Sequence, residues 1–213
     1  MDKIICLGKN YLEHAKELGD KVPEKPVIFL KPPSVLRQAK ENRSKIKVAF
    51  PPDIPTIHYE CEIVLRLKTG GYRLTQDQAR SAIGEVSLGL DMTQREKQTE
   101  LKKAGHPWTV SKVFLNSAIV GPWVSVLDFP DFLETEFSFK LGDEVKQKAK
   151  GNEMMMSAYD AIAYASHFFP LAPGDLIFTG TPKGVGEIKV GAQAELKFGY
   201  INFEVEWAAF ATL

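Results

Sequence analysis

Several features that assign a protein to a class at first sight are scarce in this 213-residue sequence. It has only two cysteines, Cys6 and Cys61, and both lie in apolar, strand-like segments without the spacing of a metal site. Buried thiols in a reducing compartment explain them better than a disulfide does. The cysteines therefore favour neither a disulfide-stabilised secreted domain nor a zinc site.

An excess of charge of one sign is also absent. The 27 Lys and Arg residues balance 27 Asp and Glu residues, and no long block of one sign occurs. Nucleic acids and anionic membrane surfaces are bound by clustered positive charge, so we expect neither as a partner. A small molecule or a second copy of the chain is favoured instead.

Long hydrophobic runs are missing as well. No apolar stretch approaches the roughly 20 residues of a membrane-spanning helix. The first residues, MDKIICLGKNY, have neither the apolar centre of a signal peptide nor the composition of a transit peptide. We therefore expect no membrane association and a cytoplasmic protein.

The patterns that are present predict a mostly β protein of the α+β class. With 44% hydrophobic residues the chain can bury a core, so we expect one domain over residues 1–213. Alternating segments such as FSFKLGDEVKQKA and AELKFGYINFEVEWAAF predict antiparallel hairpins, and TQREKQTELKKAG and NYLEHAKELG predict helices, the latter capped by Asn10. Ser34 to Pro55 lacks strong periodicity and predicts a long surface excursion.

Two glutamates stand at the head of one apolar strand pattern, IHYECEIVLRLK. Side chains alternate along a strand, so His58, Glu60 and Glu62 are predicted to share a face. Neighbouring carboxylates repel each other when buried, whereas a hard divalent ion such as Mg²⁺ or Mn²⁺ binds such oxygens. A solvated polar face is the other interpretation of this stretch.

Asp91 is the candidate for a third oxygen ligand. It ends the strand-like segment VSLGL and precedes a predicted helix, a position where functional side chains are often displayed. Gln94 follows three residues later, and this spacing also fits a helix-capping box.

A base and two lysines are further candidates. His14 and Glu17 are three residues apart on a predicted helix, where a carboxylate can orient an imidazole as a general base. An ordinary surface contact is the alternative. Lys31 and Lys112 place ammonium groups among apolar neighbours, where most lysines extend to solvent.

The turn GTPKGVG, Gly180 to Gly186, lacks the spacing of a nucleotide phosphate loop. Its backbone amides and the Thr181 hydroxyl could still be offered to a carboxylate. A plain strand-end turn is the alternative.

Taken together, the order of these segments resembles the fumarylacetoacetate hydrolase family. The matching segments run from Gly8 to Gly186 and are GKNYLEHAKE, FLKPPS, HYECE, LGLDMTQREKQ, GHPWTVSKVF and FTGTPKGVG. The sequence is most similar to the short, single-domain acylpyruvase and oxaloacetate decarboxylase branch. The resemblance implies a rolled, mixed β-sandwich with short flanking helices, a homodimer, and one Mg²⁺ or Mn²⁺ per active site.

The resemblance also implies roles for individual residues. Glu60, Glu62 and Asp91 match the metal ligands, and Lys112 matches the active-site lysine. His14 and Glu17 match a catalytic pair on a lid helix within the first ~50 residues, the N-terminal part of the domain. Candidate substrate contacts are Arg95, Gln98, Thr181 and Lys31.

The function implied is metal-dependent cleavage of a carbon-carbon bond in a 2-oxo acid through a stabilised pyruvate enolate. The reaction would be acylpyruvate hydrolysis, with His14 and Glu17 activating water, or oxaloacetate decarboxylation. Alternatives are an isomerase, a tautomerase or a decarboxylase of ring-cleavage products, and a metal-stabilised binding protein. The segment from Arg37 to Pro55 lacks the glycine-containing turn usual in relatives, which leaves substrate size open.

Overall fold

The computed structural model describes residues 1–17, 25–50, 52–54 and 56–210. Strands dominate these residues, as the α+β, mostly β prediction requires. The strands are β1 Ile4–Gly8, β2 Val27–Lys31, β3 Leu36–Gln38, β4 Lys45–Phe50, β5 Ile57–Tyr59, β6 Cys61–Leu67, β7 Ile83–Asp91, β8 Ala118–Val120, β9 Val124–Ser125, β10 Glu136–Leu141, β11 Glu144–Lys150, β12 Leu176–Phe178, β13 Gly186–Ile188, β14 Gln193–Phe198 and β15 Ile201–Ala209.

The α-helices of the described residues are short, and none is long and apolar enough to cross a membrane. They are α1 Leu12–Glu17, α2 Gln76–Ala82, α3 Arg95–Ala104, α4 Thr109–Lys112 and α5 Ala158–Ser166. Two single 3₁₀ turns, Pro33–Val35 and Gly151–Glu153, complete the list. Helix α3 ends where predicted, because Gly105 takes the left-handed conformation at its C-terminus (φ 67°).

Two sheets and a small ribbon make up the β structure. The larger sheet has the order β2-β1-β12-β6-β7-β8-β3, with β9 paired to β7. The second sheet has the order β11-β10-β14-β15-β4, and β13 pairs with β5 in the ribbon. Parallel pairs β1–β12, β3–β8 and β4–β15 lie among antiparallel ones, so the predicted mixed β-sandwich is confirmed.

The core forms because the strands alternate buried and exposed residues. In β15, Ile201, Phe203, Val205 and Trp207 are buried, while the residues between them are more exposed. The same alternation in β10 and β14 confirms the two predicted hairpins. Burial of these large side chains stabilises the fold by roughly 1.5–3 kcal/mol each.

The predicted surface excursion from Ser34 to Pro55 is wrong. This segment contains β3 and β4, and β4 lies parallel to the C-terminal strand β15, with Val48 opposite Trp207 and fully buried. The partner strand β15 begins more than 150 residues after the end of β4 along the chain. A long-range partner of this kind leaves no local signal.

Asn10 does not cap α1. Its fully buried side chain donates hydrogen bonds to the carbonyl oxygens of Met156 (3.0 Å) and Thr179 (2.9 Å) and accepts one from the Met156 N–H (2.9 Å). Asn10 therefore fixes the segment between β1 and α1 against β12. The predicted end of this helix at Gly19 lies outside the described residues.

The sheet topology brings several strand ends together. Strand β1 is parallel to β12, β12 is antiparallel to β6, and β6 is antiparallel to β7. The C-terminal ends of β1, β7 and β12 therefore lie close to the N-terminal end of β6, on the same side of the larger sheet where these strands end. The segments of Glu60, Glu62, Asp91, His14 and Thr181 follow or precede these ends, whereas Lys31 ends β2 opposite Ile4, at the start of β1.

Candidate active site

Three carboxylates lie close together at these strand ends. Glu60 precedes β6, Glu62 lies within it, and Asp91 ends β7, where the Asp91 N–H donates to the Glu60 carbonyl (2.8 Å). One oxygen from each side chain lies within 4.8 Å of the others, and all three residues are buried. We call Glu60, Glu62 and Asp91 the acidic triad.

The strand that carries the two glutamates is interrupted, contrary to the prediction. Strand β5 ends at Tyr59 and β6 begins at Cys61, so Glu60 lies in the break between two different sheets. His58, predicted on the same face, pairs its backbone with Thr93 and is not part of the triad. The break lets Glu60 approach Asp91 while Glu62 remains in the ladder opposite Gly89.

The electrostatics of the triad fit a divalent cation. Burial and the charges of Asp91 and Glu60 raise the pKa of Glu62 well above its usual range. Burial also opposes ionisation of Glu60, but Lys112 and Arg95 outweigh it and hold the Glu60 pKa well below its usual range. The buried Asp91 Oδ1 receives no aligned hydrogen bond within the described residues. Such oxygens are the ligands that Mg²⁺ and Mn²⁺ prefer.

Lys112 lies directly against the triad. From the short helix α4 its Nζ donates to Glu60 Oε2 (2.7 Å), Asp91 Oδ2 (2.7 Å) and Thr93 Oγ1 (2.6 Å). Burial lowers the Lys112 pKa, but Asp91 and Glu60 outweigh it and leave the pKa raised. Lys112 therefore stays charged and does not extend to solvent.

Lys31 lies behind Asp91. Its fully buried Nζ is 2.6 Å from Asp91 Oδ1 and donates to the carbonyl oxygens of Ser117 (2.6 Å) and Met92 (3.1 Å). Two hydrogen bonds and one ion pair thus hold the ammonium group within the protein. A substrate contact, as predicted for Lys31, would have to compete with them.

His14 and Glu17 contact each other as their spacing suggests. His14 Nδ1 lies 3.3 Å from Glu17 Oε2, and the Glu17 carboxylate also accepts the Gly184 N–H (3.0 Å to Oε1). Burial lowers the His14 pKa, and the nearby Glu60 and Glu17 charges offset this only in part. The imidazole is therefore neutral at pH 7, as a general base must be.

The glycine-rich turn after β12 supports two of these carboxylates. The Gly180 N–H donates to Glu62 Oε2 (2.7 Å), and the Gly184 N–H holds Glu17. At Gly184 (φ 96°) a Cβ would lie 2.0 Å from the Lys146 carbonyl oxygen, so only glycine fits. The predicted amide donors thus serve the protein's own carboxylates.

Thr181 lies in the same turn, directly after Gly180. Its hydroxyl donates to the Cys61 carbonyl (2.9 Å) and accepts from Gln147 Nε2 (2.8 Å). The hydroxyl proton predicted to reach a ligand is therefore already used within the protein. Thr181 still lines the cleft described below.

Arg95 and Gln98 lie on consecutive turns of α3. Arg95 Nη1 donates to Gln98 Oε1 (2.7 Å), and Nη2 forms an ion pair with Glu60. Arg95 Nε is buried without a hydrogen-bond partner among the described residues. This donor is therefore the one that a ligand would satisfy.

A cleft opens onto Glu60 and Glu62 of the triad. Most predicted site residues line it, whereas Glu17, Lys31 and Asp91 do not. The lining residues are Leu7, Gly8, Lys9, His14, Phe29, Glu60, Glu62, Arg95, Gln98, Lys102, Trp108, Lys112 and Thr181.

One family model covers nearly the whole chain. A model of the fumarylacetoacetate (FAA) hydrolase C-terminal domain matches residues 3–212. The chain belongs to the fumarylacetoacetate hydrolase family. The resemblance drawn from the sequence motifs is thereby confirmed.

Individual members of this family can be aligned with nearly the whole chain. Oxaloacetate tautomerase YcgM of Escherichia coli is 34% identical over 93% of this chain and 89% of its own length. The mitochondrial oxaloacetate tautomerase FAHD1 of Arabidopsis thaliana is 41% identical over 89% of this chain and 82% of its own. Fumarylpyruvate hydrolase from Pseudomonas aeruginosa, solved with Mn²⁺ and pyruvate, is 31% identical, with a TM-score of 0.92 over 99% of this chain and 91% of its own.

Several residues that the structure places at the site are not predicted from the sequence. Thr93 accepts from Lys112, and Gln147 supports Thr181 and donates to the Pro182 carbonyl (2.8 Å). Lys9 and Lys102 line the cleft. Thr93 stands two residues after Asp91 in a matched motif and could have been found there, whereas Gln147 comes from a distant hairpin and could not.

Proposed function

We propose that the protein is a divalent-cation-dependent enzyme that moves a proton at the carbon beside the oxo group of a small 2-oxo acid. Keto-enol interconversion of oxaloacetate is the proposed reaction. The observation that carries the proposal is one cleft lined by the buried base His14 and by Glu60 and Glu62, two members of the acidic triad. Relatives named oxaloacetate tautomerase support the choice of substrate.

The triad would hold Mg²⁺ or Mn²⁺. A bound divalent cation supplies positive charge to the 2-oxo oxygen as negative charge develops there. Lys112 adds a second, permanent charge at the same place and keeps the Glu60 and Asp91 carboxylates in position. We assign Lys31 the positioning of Asp91 rather than contact with substrate.

His14 is the proposed base. Glu17 contacts Nδ1, which leaves Nε2 to take the proton from the substrate carbon and to deliver it to the enolate oxygen, or to carry it in the reverse direction. Glu17 itself accepts the Gly184 N–H, which holds the pair beside the cleft that His14 lines, and the helix α1 that carries the pair is the proposed lid. Arg95, through its Nε, and Gln98 and Thr181, which line the same cleft, would orient the substrate.

A second candidate is hydrolysis of an acylpyruvate. The neighbour solved with Mn²⁺ and pyruvate is named a fumarylpyruvate hydrolase, and pyruvate is a product of such a cleavage. Here His14 would remove a proton from water, which attacks the distant carbonyl as the carbon-carbon bond breaks. Decarboxylation of oxaloacetate, the third reaction, needs no attacking water.

Three parallel assays test these reactions. We expect Mg²⁺-dependent or Mn²⁺-dependent loss of the ultraviolet absorbance of enol-oxaloacetate, abolished by EDTA. Pyruvate release from acetylpyruvate would move the assignment to the hydrolase, and pyruvate release from oxaloacetate would move it to the decarboxylase. His14→Ala that retained full activity with the cation bound would contradict the role of the base.

A binding protein without catalysis is distinguished by the same set of assays. It would show none of the three reactions but could still melt at a higher temperature with Mg²⁺ and oxalate together. We expect joint stabilisation and catalysis in one sample.

A further inference from the structure

The first residues of β6 lack a strand neighbour on the side of β12 within the described part of the chain. Strand β12 pairs with β6 only as far as Phe178, which lies opposite Val64. Beyond this point the backbone polar groups of β6 need other partners. The Ile63 carbonyl accepts the N–H (3.2 Å) and the hydroxyl (2.8 Å) of Thr179, and side chains bind both backbone polar groups of Cys61.

Gln147 closes a ring of hydrogen bonds around Cys61. Its Oε1 accepts the Cys61 N–H (2.9 Å), and its Nε2 donates to Thr181 Oγ1 (2.8 Å). The Thr181 hydroxyl in turn donates to the Cys61 carbonyl (2.9 Å). Because Nε2 also donates to the Pro182 carbonyl (2.8 Å), both polar atoms of this buried amide have partners. The orientation of the amide is determined, since the Cys61 N–H can only donate and the Pro182 carbonyl can only accept.

This amide comes from the other sheet. Gln147 lies on β11, the edge strand of the second sheet, between the exposed Lys146 and Lys148. Inward-facing positions on a strand are usually apolar, as Ala149 is two residues later. Burial of an amide costs free energy unless its polar atoms are bonded. The contacts to Cys61 and to the turn therefore explain why a glutamine occupies this position.

Strand β11 also contacts the far end of the glycine-rich turn. The Lys146 carbonyl oxygen lies so close to Gly184 that a Cβ there would be 2.0 Å from it. The Gly184 N–H donates to Glu17 (3.0 Å), and the Gly180 N–H donates to Glu62 (2.7 Å). The strand thus supports the turn in two places, one next to a carboxylate of the acidic triad and the other next to the carboxylate that contacts the base.

We propose that Gln147 is a positioning residue that fixes the acidic triad relative to His14 and Glu17. Its amide joins the peptide between the two glutamates of the triad to the turn that holds Glu62 and Glu17. Gln147 does not line the cleft, so it acts through these residues and not on the substrate. The proposal rests on the proposed function, since it takes the triad as the cation site and His14 as the base.

Gln147→Met tests this role, because methionine has a similar length but lacks the donors and the strong acceptor of the amide. We expect the dissociation constant for Mn²⁺ to rise by about 10- to 100-fold, as for other residues that orient metal ligands. The electron paramagnetic resonance signal of free Mn²⁺ measures it without any assay of activity. At saturating Mn²⁺, kcat should fall by a similar factor with KM changed less, since no substrate contact is lost.

A purely structural role for Gln147 gives a different result. It would lower the melting temperature of Gln147→Met and leave the Mn²⁺ affinity and kcat of the folded protein unchanged, which would overturn the proposal. Lys148→Met, at the exposed neighbour on β11, should keep both values. Phe137→Leu, in the core opposite Ala149, should lower the melting temperature without weakening Mn²⁺ binding. If it weakens Mn²⁺ binding as much as Gln147→Met does, the effect is general destabilisation and the proposal is overturned.

Thr181→Val opens the same ring from the turn and provides the test if Gln147→Met does not fold. Valine keeps the shape of threonine but can neither accept from Gln147 nor donate to Cys61, so the dissociation constant for Mn²⁺ should rise. Thr181→Ser keeps the hydroxyl and should retain the wild-type Mn²⁺ affinity. In the double variant with Gln147→Met the losses should be less than additive, because both changes open one ring. Additive losses, or an unchanged Mn²⁺ affinity of Thr181→Val, would contradict the proposal.

The proposed function fails separately. If Gln147→Met weakens Mn²⁺ binding but the wild-type protein does not tautomerise oxaloacetate, the positioning role at the triad stands and the reaction assignment falls. If the wild-type protein tautomerises oxaloacetate but Gln147→Met keeps its Mn²⁺ affinity and kcat, the reaction stands and the positioning role falls.

Discussion

The His14–Glu17 pair shows how one buried contact sets the pH range of a base. Burial lowers the His14 pKa below its ordinary value of 6.5, while the Glu60 charge and the Glu17 contact raise it. A base acts in its deprotonated form, so kcat/KM should fall as the pH drops through the pKa of His14. This acidic limb is expected below pH 6.5.

Glu17→Gln tests the origin of that limb. Loss of the Glu17 charge removes one contribution that raises the His14 pKa, so the acidic limb should shift to lower pH. Because the imidazole is also less well oriented, kcat should fall by roughly 10- to 100-fold, as for other orienting carboxylates. The measurement is kcat/KM against pH, with Glu13→Gln, the exposed glutamate of the same helix, as control. A limb that moved to higher pH would contradict the assignment.

Lys31 gives a prediction about stability rather than substrate affinity. Lys31→Met leaves Asp91 Oδ1 and two carbonyl oxygens without their buried cation, which typically costs about 3–5 kcal/mol. Urea unfolding in EDTA should show this loss, and Lys103→Met should unfold as the wild type does. A Lys31→Met protein of normal stability with a raised KM would restore the predicted substrate contact.

At the scale of elements, Asp175 connects the N-terminus to the start of β12. Its carboxylate accepts the N–H groups of Asp2 (3.0 Å), Lys3 (3.0 Å) and Ala172 (2.8 Å), and the Lys3 Nζ (2.8 Å). Burial opposes its ionisation, but Lys3 and these N–H donors outweigh burial and hold the Asp175 pKa below its ordinary value of 3.8. The contact fixes the parallel β1–β12 pair, from which the loop of Lys9 and the glycine-rich turn both emerge.

Asp175→Asn should lower the free energy of unfolding by about 3 kcal/mol at pH 7, because an amide cannot accept all four hydrogen bonds. The pKa of Asp175 is depressed in the folded state, so its stabilisation is complete above pH 3.8 and is lost as the pH falls through the lower folded-state value. The difference from wild type should therefore shrink in unfolding measurements near pH 3. Asp2→Asn, at an exposed neighbouring carboxylate, should change little at either pH.

The elements differ in how well their sequences predict them. Helix α3 and the hairpins carry complete local signals, namely the Gly105 terminus and strict alternation around turns, and both are confirmed. Strand β4 alternates as KIKVAF, but the sequence does not predict it, because the flanking residues are polar and its partner strand β15 is distant along the chain. The break at Glu60 was missed too, since nothing in IHYECEIVLRLK marks the change from one sheet to another.

For the whole molecule, we expect the acidic triad to couple folding to the proposed cation. Three buried carboxylates repel one another, and burial together with Asp91 and Glu60 raises the pKa of Glu62. Mg²⁺ or Mn²⁺ at 100 times its dissociation constant should stabilise the fold by about 2.7 kcal/mol. Because Glu62 must lose its proton to bind the cation, the stabilisation should weaken as the pH falls through the raised pKa of Glu62.

Glu62→Gln provides the variant for this measurement. In EDTA it should melt at or above the wild-type temperature, because one repelling carboxylate is gone. The rise in melting temperature with Mn²⁺ should be lost, whereas Glu144→Gln, on an exposed hairpin, should keep it. An unchanged response of Glu62→Gln to Mn²⁺ would place the cation elsewhere.

The homodimer stays a prediction, which light scattering of the same samples checks.

The sequence by itself determined the family, the β-rich class and the chemical types at the site, because ordered motifs and side-chain alternation are local properties. Only the tertiary structure decided where the charges lie. It showed that Lys31 pairs with Asp91 behind the cleft, that the Thr181 hydroxyl bonds within the protein, and that Lys102 joins the cleft wall. These outcomes depend on strand register and on packing between distant segments, which set burial and hydrogen-bond partners and leave no trace in local sequence.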